Sequence, residues 1–205
     1  MEYVVPIIVA FITAVIGPSV LEWVRNKFKE RSATKSPIQE ALELNERVDS
    51  QLEQLLHELE CDRIWIAQFH NGGHFYPTGK SIQKFSIFYE KVSAGVNSIQ
   101  HTYQNIPVSL FPKAFSKIYK DEELSIDSVT KDDQLYDLGN FARNCGTKSL
   151  YFVPIYSLNS NMIGILSISY NTKEYKLTKE DRTYIFSKAG AIGALLEEYL
   201  KTKKS

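Results

Sequence analysis

The chain has 205 residues, 43% of them apolar and 23% charged, which are values of a globular domain and exclude a disordered or fibrous chain. Its 24 basic and 24 acidic side chains cancel, so there is no global field to gather nucleic acid or an acidic substrate, and no nucleic-acid partner is expected. The two cysteines, Cys61 and Cys145, are too few for a disulfide framework and fit a reducing compartment, with a single bridge left open.

Residues 3–24 read YVVPIIVAFITAVIGPSVLEWV. A helix needs ~20 apolar residues to cross the hydrocarbon core, and this run is long enough. Its one charged side chain, Glu22, sits near the end, and Trp23 suits an interface. Arg25, Lys27, Lys29, Arg31 and Lys35 follow, opposed only by Glu30. The positive-inside rule then predicts a single-pass membrane protein with its N-terminus outside and the following domain cytoplasmic. A cleaved signal peptide is the rival reading, but the basic n-region it needs is missing. A buried core helix is a third, weakened by the lack of a polar face. Pro6 and Pro18 are compatible with a membrane helix. The expected organisation is an anchor over residues 1–24, a basic linker over 25–36 and one domain over 37–205, the last beginning with a helix over 37–60.

Ser36-Pro37 reads as an N-cap and first helical residue. Ile38, Leu42, Asn45, Val48, Leu52, Leu56 and Leu59 recur at helical steps, interrupted by polar positions that argue against a long coiled coil. This helix either packs on its own domain or pairs with a second copy to carry a signal, and both can hold together.

Residues 62–70, DRIWIAQFH, read as a strand in which Ile64, Ile66 and Gln68 alternate with Trp65, Ala67 and Phe69. Asn71-Gly72-Gly73 is expected to break it, opening a loop that runs through Gly79 to a second strand over residues 83–92. Residues 94–103 suggest a turn and a short strand. A helix is predicted from Ser109-Leu110-Phe111-Pro112 through Tyr119, a short extended segment at 124–127, and a further helix over 132–144 ending at Gly146. Residues 149–170 carry two apolar runs, SLYFVPIY and MIGILSISY, around the polar loop SLNSN. They predict an antiparallel hairpin at the centre of a sheet covered on both faces. Thr178-Lys179-Glu180-Asp181 resembles a capping box. The last helix places Ile185, Ala189, Ile192, Leu196 and Tyr199 on one stripe, and Gly190, Ala191, Gly193 and Ala194 would let another helix approach. The order implies an α+β fold, an antiparallel sheet with N- and C-terminal helices packed on one face.

Chemistry-bearing motifs are sparse. His70 and His74 stand four apart, but Gly72 and Gly73 break the helix that spacing would need, so no metal site is assigned. Asn71-Gly72-Gly73 could present backbone N–H groups to an anion, and reads first as a plain turn. No phosphate-binding glycine loop, serine elbow or paired catalytic carboxylate is found, and no catalytic residue is assigned.

From Ile106 onward the sequence resembles the GAF domain family. Ile106-Pro107, the helix at 111–119 and Leu124-Ser125-Ile126-Asp127 follow a recurring order of that family. Gly146 to Ser149 with Val153-Pro154-Ile155 is similar to its G-x-x-S-x-x-x-x-P-I strand, and Met162-Ile163-Gly164-Ile165-Leu166 to its x-I-G-V-L strand. The resemblance extends over residues 37–199, with Arg63 opening the first strand; the loop over residues 71–79 departs from the family. It implies a GAF-like sheet with terminal helices on one face and a small-molecule pocket on the other. Family members bind cyclic nucleotides, bilins, haem, amino acids or other metabolites, and some bind nothing and only dimerise. Strand ends and the loop-helix region would line the pocket, which gives Phe69, His70, Phe88, Tyr103, Asp127, Tyr136, Asn140, Arg143 and Tyr151 as candidate ligand-binding residues. Arg143 would pair with a phosphate or carboxylate, and the aromatics would stack a ring.

The expectation is therefore a membrane-anchored, non-catalytic sensor, homodimeric, with an unidentified ligand and an unidentified protein partner. The alternative is a ligand-free dimerisation or interaction module, distinguished by a pocket filled with its own aromatics. A third reading is a GAF-type methionine sulfoxide reductase, which would need Cys145 as nucleophile and a resolving thiol.

Overall fold

The computed structural model describes Glu22, residues 36–131 and residues 136–201. The chain divides into two compact units, Met1–Glu40 and Ala41–Ser205. The predicted anchor over residues 3–24 lies, except for Glu22, outside the described residues, as does the basic linker except for Ser36. Among the described residues no helix is long and apolar enough to cross a membrane.

Helix α1 spans Pro37–Glu58. Its start is as predicted: the Ser36 hydroxyl accepts the Gln39 N–H at 3.1 Å. Strands β1 (Arg63–His74) and β2 (Ser81–Val92) form a long hairpin. A two-residue strand β3 (Ile106–Pro107) and a 3-10 turn (Val108–Leu110) lead into α2 (Pro112–Asp121). Then come β4 (Leu124–Ile126), a short α3 (Gly139–Asn144), the hairpin β5 (Ser149–Tyr156) and β6 (Met162–Tyr170), and α4 (Lys179–Lys201).

The sheet has six strands in the order β3-β2-β1-β6-β5-β4, every pair antiparallel. Side chains of successive strand residues leave on opposite faces, and the sheet makes two cores in this way. One holds Ile64, Ile66, Tyr151, Val153, Leu166 and Ile168 beneath Leu44, Val48, Leu52 and Leu55 of α1 and Ile185, Ala189, Ile192 and Leu196 of α4. The other holds Trp65, Ala67, Leu150, Phe152 and Ile165 beneath Ala114 and Ile118 of α2 and Phe141 of α3. The prediction of a doubly covered central hairpin, with both terminal helices on one face, is met.

Several expectations are corrected. Asn71-Gly72-Gly73 does not end β1, which runs on to His74 through an irregularity between Asn71 and His74. Gly73 takes φ 109° there, a conformation that favours glycine. A side chain at Gly72 would fall 2.2 Å from Cδ of Lys84, whose aliphatic stem lies across the glycine. In α1 the buried seam is Leu44, Val48, Leu52 and Leu55, so Leu42 is left 57% exposed. Residues 94–103 form turns without a strand, and the edge strand is Ile106–Pro107 instead. Helix α3 starts only at Gly139; residues 132–135, where it was expected to begin, lie outside the described residues. Of the small residues of α4, Gly193 admits a strand, since a Cβ there would stand 2.1 Å from the Tyr156 carbonyl oxygen of β5, whereas Gly190 and Ala191 are exposed.

Candidate functional site

Between the sheet and the pair α2 and α3 lies a chamber of about 30 Å3. Trp65 and Ala67 of β1, Phe85 and Ile87 of β2, Phe152 of β5 and Ile165 of β6 form its sheet side. Phe111, Ala114, Phe115 and Ile118 at α2, with Leu138 and Phe141 at α3, form the other. Every one of these side chains is apolar. Phe141 is the hub: its ring centroid lies 4.9 Å from Tyr103, 6.3 Å from Trp65 and 6.3 Å from Phe111. Phe115 packs 5.5 Å from Phe85 and 5.7 Å from Phe69. The volume is about the share of liquid that one water molecule occupies, and the chamber is lined by its own aromatics.

At one edge of this core lies a buried ion pair. Arg63 Nε stands 3.3 Å from Glu90 Oε1, both side chains almost wholly buried. Arg63 Nη2 donates to the Asn97 carbonyl at 2.8 Å and Nη1 to the Cys145 carbonyl at 3.5 Å. Glu90 accepts the N–H groups of Ile99, at 3.0 Å, and Gln100, at 2.9 Å. The pair thus fixes the turns over residues 93–105 and sets Tyr103 against Phe141. Burial pushes the Tyr103 phenol up to about 12, and the neighbouring Cys145 thiol adds to the rise. Burial also raises Cys145, and raises Cys61 to about 12, so both thiols are held protonated at neutral pH. Cys61 belongs to the core under α1 and α4, Cys145 to the core under α2 and α3. The two thiols thus sit in different cores.

The nine candidate residues are not gathered at one site, although His70 and Phe88 touch, their ring centroids 6.5 Å apart. Phe69, Tyr103 and Tyr136 pack against the core that contains the chamber. His70 instead binds Ser86, Nε2 to Oγ at 2.9 Å, and that same oxygen accepts the Asn105 N–H at 2.8 Å. Phe88 is 49% exposed. It is the extra residue of a bulge: Ile66 pairs with Tyr89 and Ala67 with Ile87, which leaves Phe88 without a partner in β1. Asn140 and Arg143 bind each other at 3.1 Å on the exposed side of α3. Tyr151 lies in the opposite core, its hydroxyl donating to Asp127 at 3.2 Å and to the Tyr175 carbonyl. The residues the sequence reading missed, Trp65, Phe85, Phe111, Phe115, Phe141 and Phe152, carried a usable signal in β1, where alternation groups Trp65 with Ala67 and Phe69. In β2 the bulge reverses the alternation, so Phe85 and Ile87 face the chamber while Tyr89 packs on the other core.

A second feature is an open groove of about 410 Å3 on α1 and α4, lined by Glu46, Arg47, Ser50, Gln51, Ala191 and Leu195. Arg47 bridges to Glu198 across it at 3.2 Å. Among the described residues no group of His, Cys, Asp and Glu is arranged to hold a metal ion.

The fold recurs in solved structures. A phycocyanobilin-bound GAF domain of a cyanobacterial phytochrome matches with TM-score 0.62 at 16% identity, covering 92% of this chain and 97% of that one. This domain has the GAF fold. A GAF3 domain from Synechocystis, solved in its photoproduct state, matches with TM-score 0.60 at 14% identity, over 78% of this chain and 99% of that one. The GAF domain of Thermosynechococcus elongatus PixJ in its blue-light absorbing form matches with TM-score 0.60 at 13% identity, over 83% of this chain and 97% of that one. No family profile matches the sequence, and no curated protein does. At these identities the likeness establishes the GAF fold and not the ligand.

Proposed function

We propose that this chain is a sensory GAF module, tethered to a membrane through residues 3–24 with its domain on the cytoplasmic side, that acts without catalysis through a separate protein partner. The observation that carries the reading is the wholly apolar chamber walled by Trp65, Phe152, Phe115 and Phe141. Such a lining selects a small apolar or aromatic molecule by burial and shape, and offers no polar side chain to orient a nucleotide. Because the chamber is only about 30 Å3, binding requires the aromatic residues of α2 and α3 to move outward. The strands under the chamber also carry the core of α1 and α4, so that movement reaches the helical face. The groove on α1 and α4 is the surface on which a second copy or a partner would read it. The bilin-bound phytochrome domain supports the sensory reading, although a chamber of this size does not hold a bilin as it stands.

The same small volume favours a second reading, a ligand-free interaction module in which these aromatics are permanent core. Native mass spectrometry of the full chain, purified from cells in detergent micelles, separates the two. A dimer carrying an additional small mass is the expected result for the sensor. A dimer with no added mass favours the interaction module. A ligand-free monomer removes helix pairing from both. A thiol-based reductase requires turnover of free methionine sulfoxide that Cys145→Ser abolishes.

A further inference from the structure

The β1-β2 hairpin outruns the sheet. Its last pairing with β6 is Gln68 with Gly164, and its pairings with β3 involve only Lys84 and Phe85. Beyond these points it continues alone to a tip at residues 75–80. Phe75 there is 55% exposed and Tyr76 is 98% exposed. The flanking charges are Lys80 and Lys84, and no Asp or Glu occurs between Arg63 and Tyr89. Lys84 lies over Gly72, so its ammonium is held beside the hairpin.

The tip also has a defined direction. Helix α1 runs down to Leu59, whose carbonyl accepts the Tyr170 hydroxyl at 2.9 Å, and β1 then runs back up from Arg63. Lys91, paired with Ile64 at the lower end of β1, reaches Asp49 at 3.1 Å in the middle of α1. The tip therefore projects from the end of the domain at which Ala41 enters. Ten strand residues above Ile64 rise ~33 Å, whereas eight helical residues above Asp49 rise ~12 Å. Leu42, 57% exposed, and Leu158, 72% exposed in the β5-β6 turn, lie toward the same end.

We propose that this hairpin tip docks onto the anionic lipid surface of the membrane that tethers the chain, Phe75 and Tyr76 entering the headgroup region and Lys80 and Lys84 facing lipid phosphates and carboxylates. Amphipathic aromatics and snorkelling lysines are the side chains suited to that interface, and the hairpin itself, which has no carboxylate over residues 64–89, adds no repulsion there. The proposal rests on the tethered reading above, since only residues 25–36 separate the apolar segment from α1 in sequence. Docking would hold the domain upright, with its helical groove free for a partner.

The test uses the full chain in nanodiscs whose phosphatidylcholine carries bromine-labelled acyl chains, with and without added phosphatidylserine. The fluorescence of Tyr76→Trp is read against that of the parent, which carries Trp23 and Trp65. The expected result is at least twofold extra quenching in Tyr76→Trp, reduced in discs of phosphatidylcholine alone and in the same variant with Lys80→Glu and Lys84→Glu added. Emission from the introduced indole at the wavelength of free indole in water, unquenched in both lipids, overturns the proposal. Protection of that indole by an oligothymidylate, without lipid quenching, overturns it in favour of a nucleic-acid partner. Alkaline carbonate extraction of the parent separates the two layers. A parent chain stripped from membranes rejects the tether, and docking with it. A retained chain whose introduced indole stays unquenched rejects docking alone.

Discussion

Asp62 shows how much one side chain between two elements can hold. It sits between α1 and β1, and its Oδ2 accepts the N–H groups of Asn171 at 2.7 Å and Thr172 at 2.8 Å and the Thr172 hydroxyl at 2.8 Å. Burial by itself raises this carboxyl, but the bonds from Thr172, Asn171 and Ser93 outweigh it and the net shift is downward. A lowered folded-state value means the stabilisation is fully present above the unfolded value of ~3.9 and is lost as pH falls through the folded value. Asp62→Asn is expected to lose about 1–3 kcal/mol at pH 7, measured by urea midpoints, with the gap to the parent closing as pH drops below that range. Arg63, the next residue, answers a different question. Removing it leaves Glu90 charged and buried, so Arg63→Met is expected to cost about 3–5 kcal/mol and to loosen Tyr103 from Phe141. Hydrogen exchange at Ile99 and Gln100, whose N–H groups Glu90 holds, reports that loosening.

Among the elements, α4 carries two glycines with opposite consequences. A Cβ at Gly190 meets nothing within 4 Å, whereas one at Gly193 meets the Tyr156 carbonyl oxygen at 2.1 Å. Gly190→Ala is expected to stabilise by about 0.5–1 kcal/mol through helix propensity. Gly193→Ala is expected to destabilise by about 1–3 kcal/mol, because backbone must give way. Thermal midpoints of the two variants should therefore move in opposite directions from the parent. The start of α4 was readable as a motif: Thr178 Oγ1 accepts the Asp181 N–H at 3.1 Å and Asp181 Oδ2 accepts the Thr178 N–H at 2.8 Å. The hairpin at residues 71–79 was not, because Asn-Gly-Gly has the same local preferences in a loop as in a bulged strand. Only pairing with β2 decides between them.

For the whole molecule the chamber is the quantity that matters. Phe141→Ala is expected to cost about 3–5 kcal/mol and leave a dry cavity. Saturating benzene or indole should raise the melting temperature of that variant by several degrees, and a parent left unchanged favours the filled interaction module. A parent that responds equally already opens its chamber unaided, which favours the sensor over the filled interaction module.

Periodicity, capping and turn chemistry were enough to place a helix, a sheet built around residues 149–170 and a closing helix, because each signal acts over a few residues. The sequence alone also placed an apolar segment before the domain and left no global charge. What it could not supply was which aromatics meet. Phe85 and Phe88 are equivalent by composition, and alternation puts them on opposite faces without saying which face is which; pairing with β1, bulged between Ile66 and Ala67, sends Phe85 into the chamber and leaves Phe88 exposed. Tyr151, expected at a pocket, lies in the core under α1 and α4, away from the apolar chamber, its hydroxyl bonded to Asp127. Register and sheet face are settled by pairing across tens of residues, and chamber volume by the fit of two cores on one sheet. Neither has a local signature.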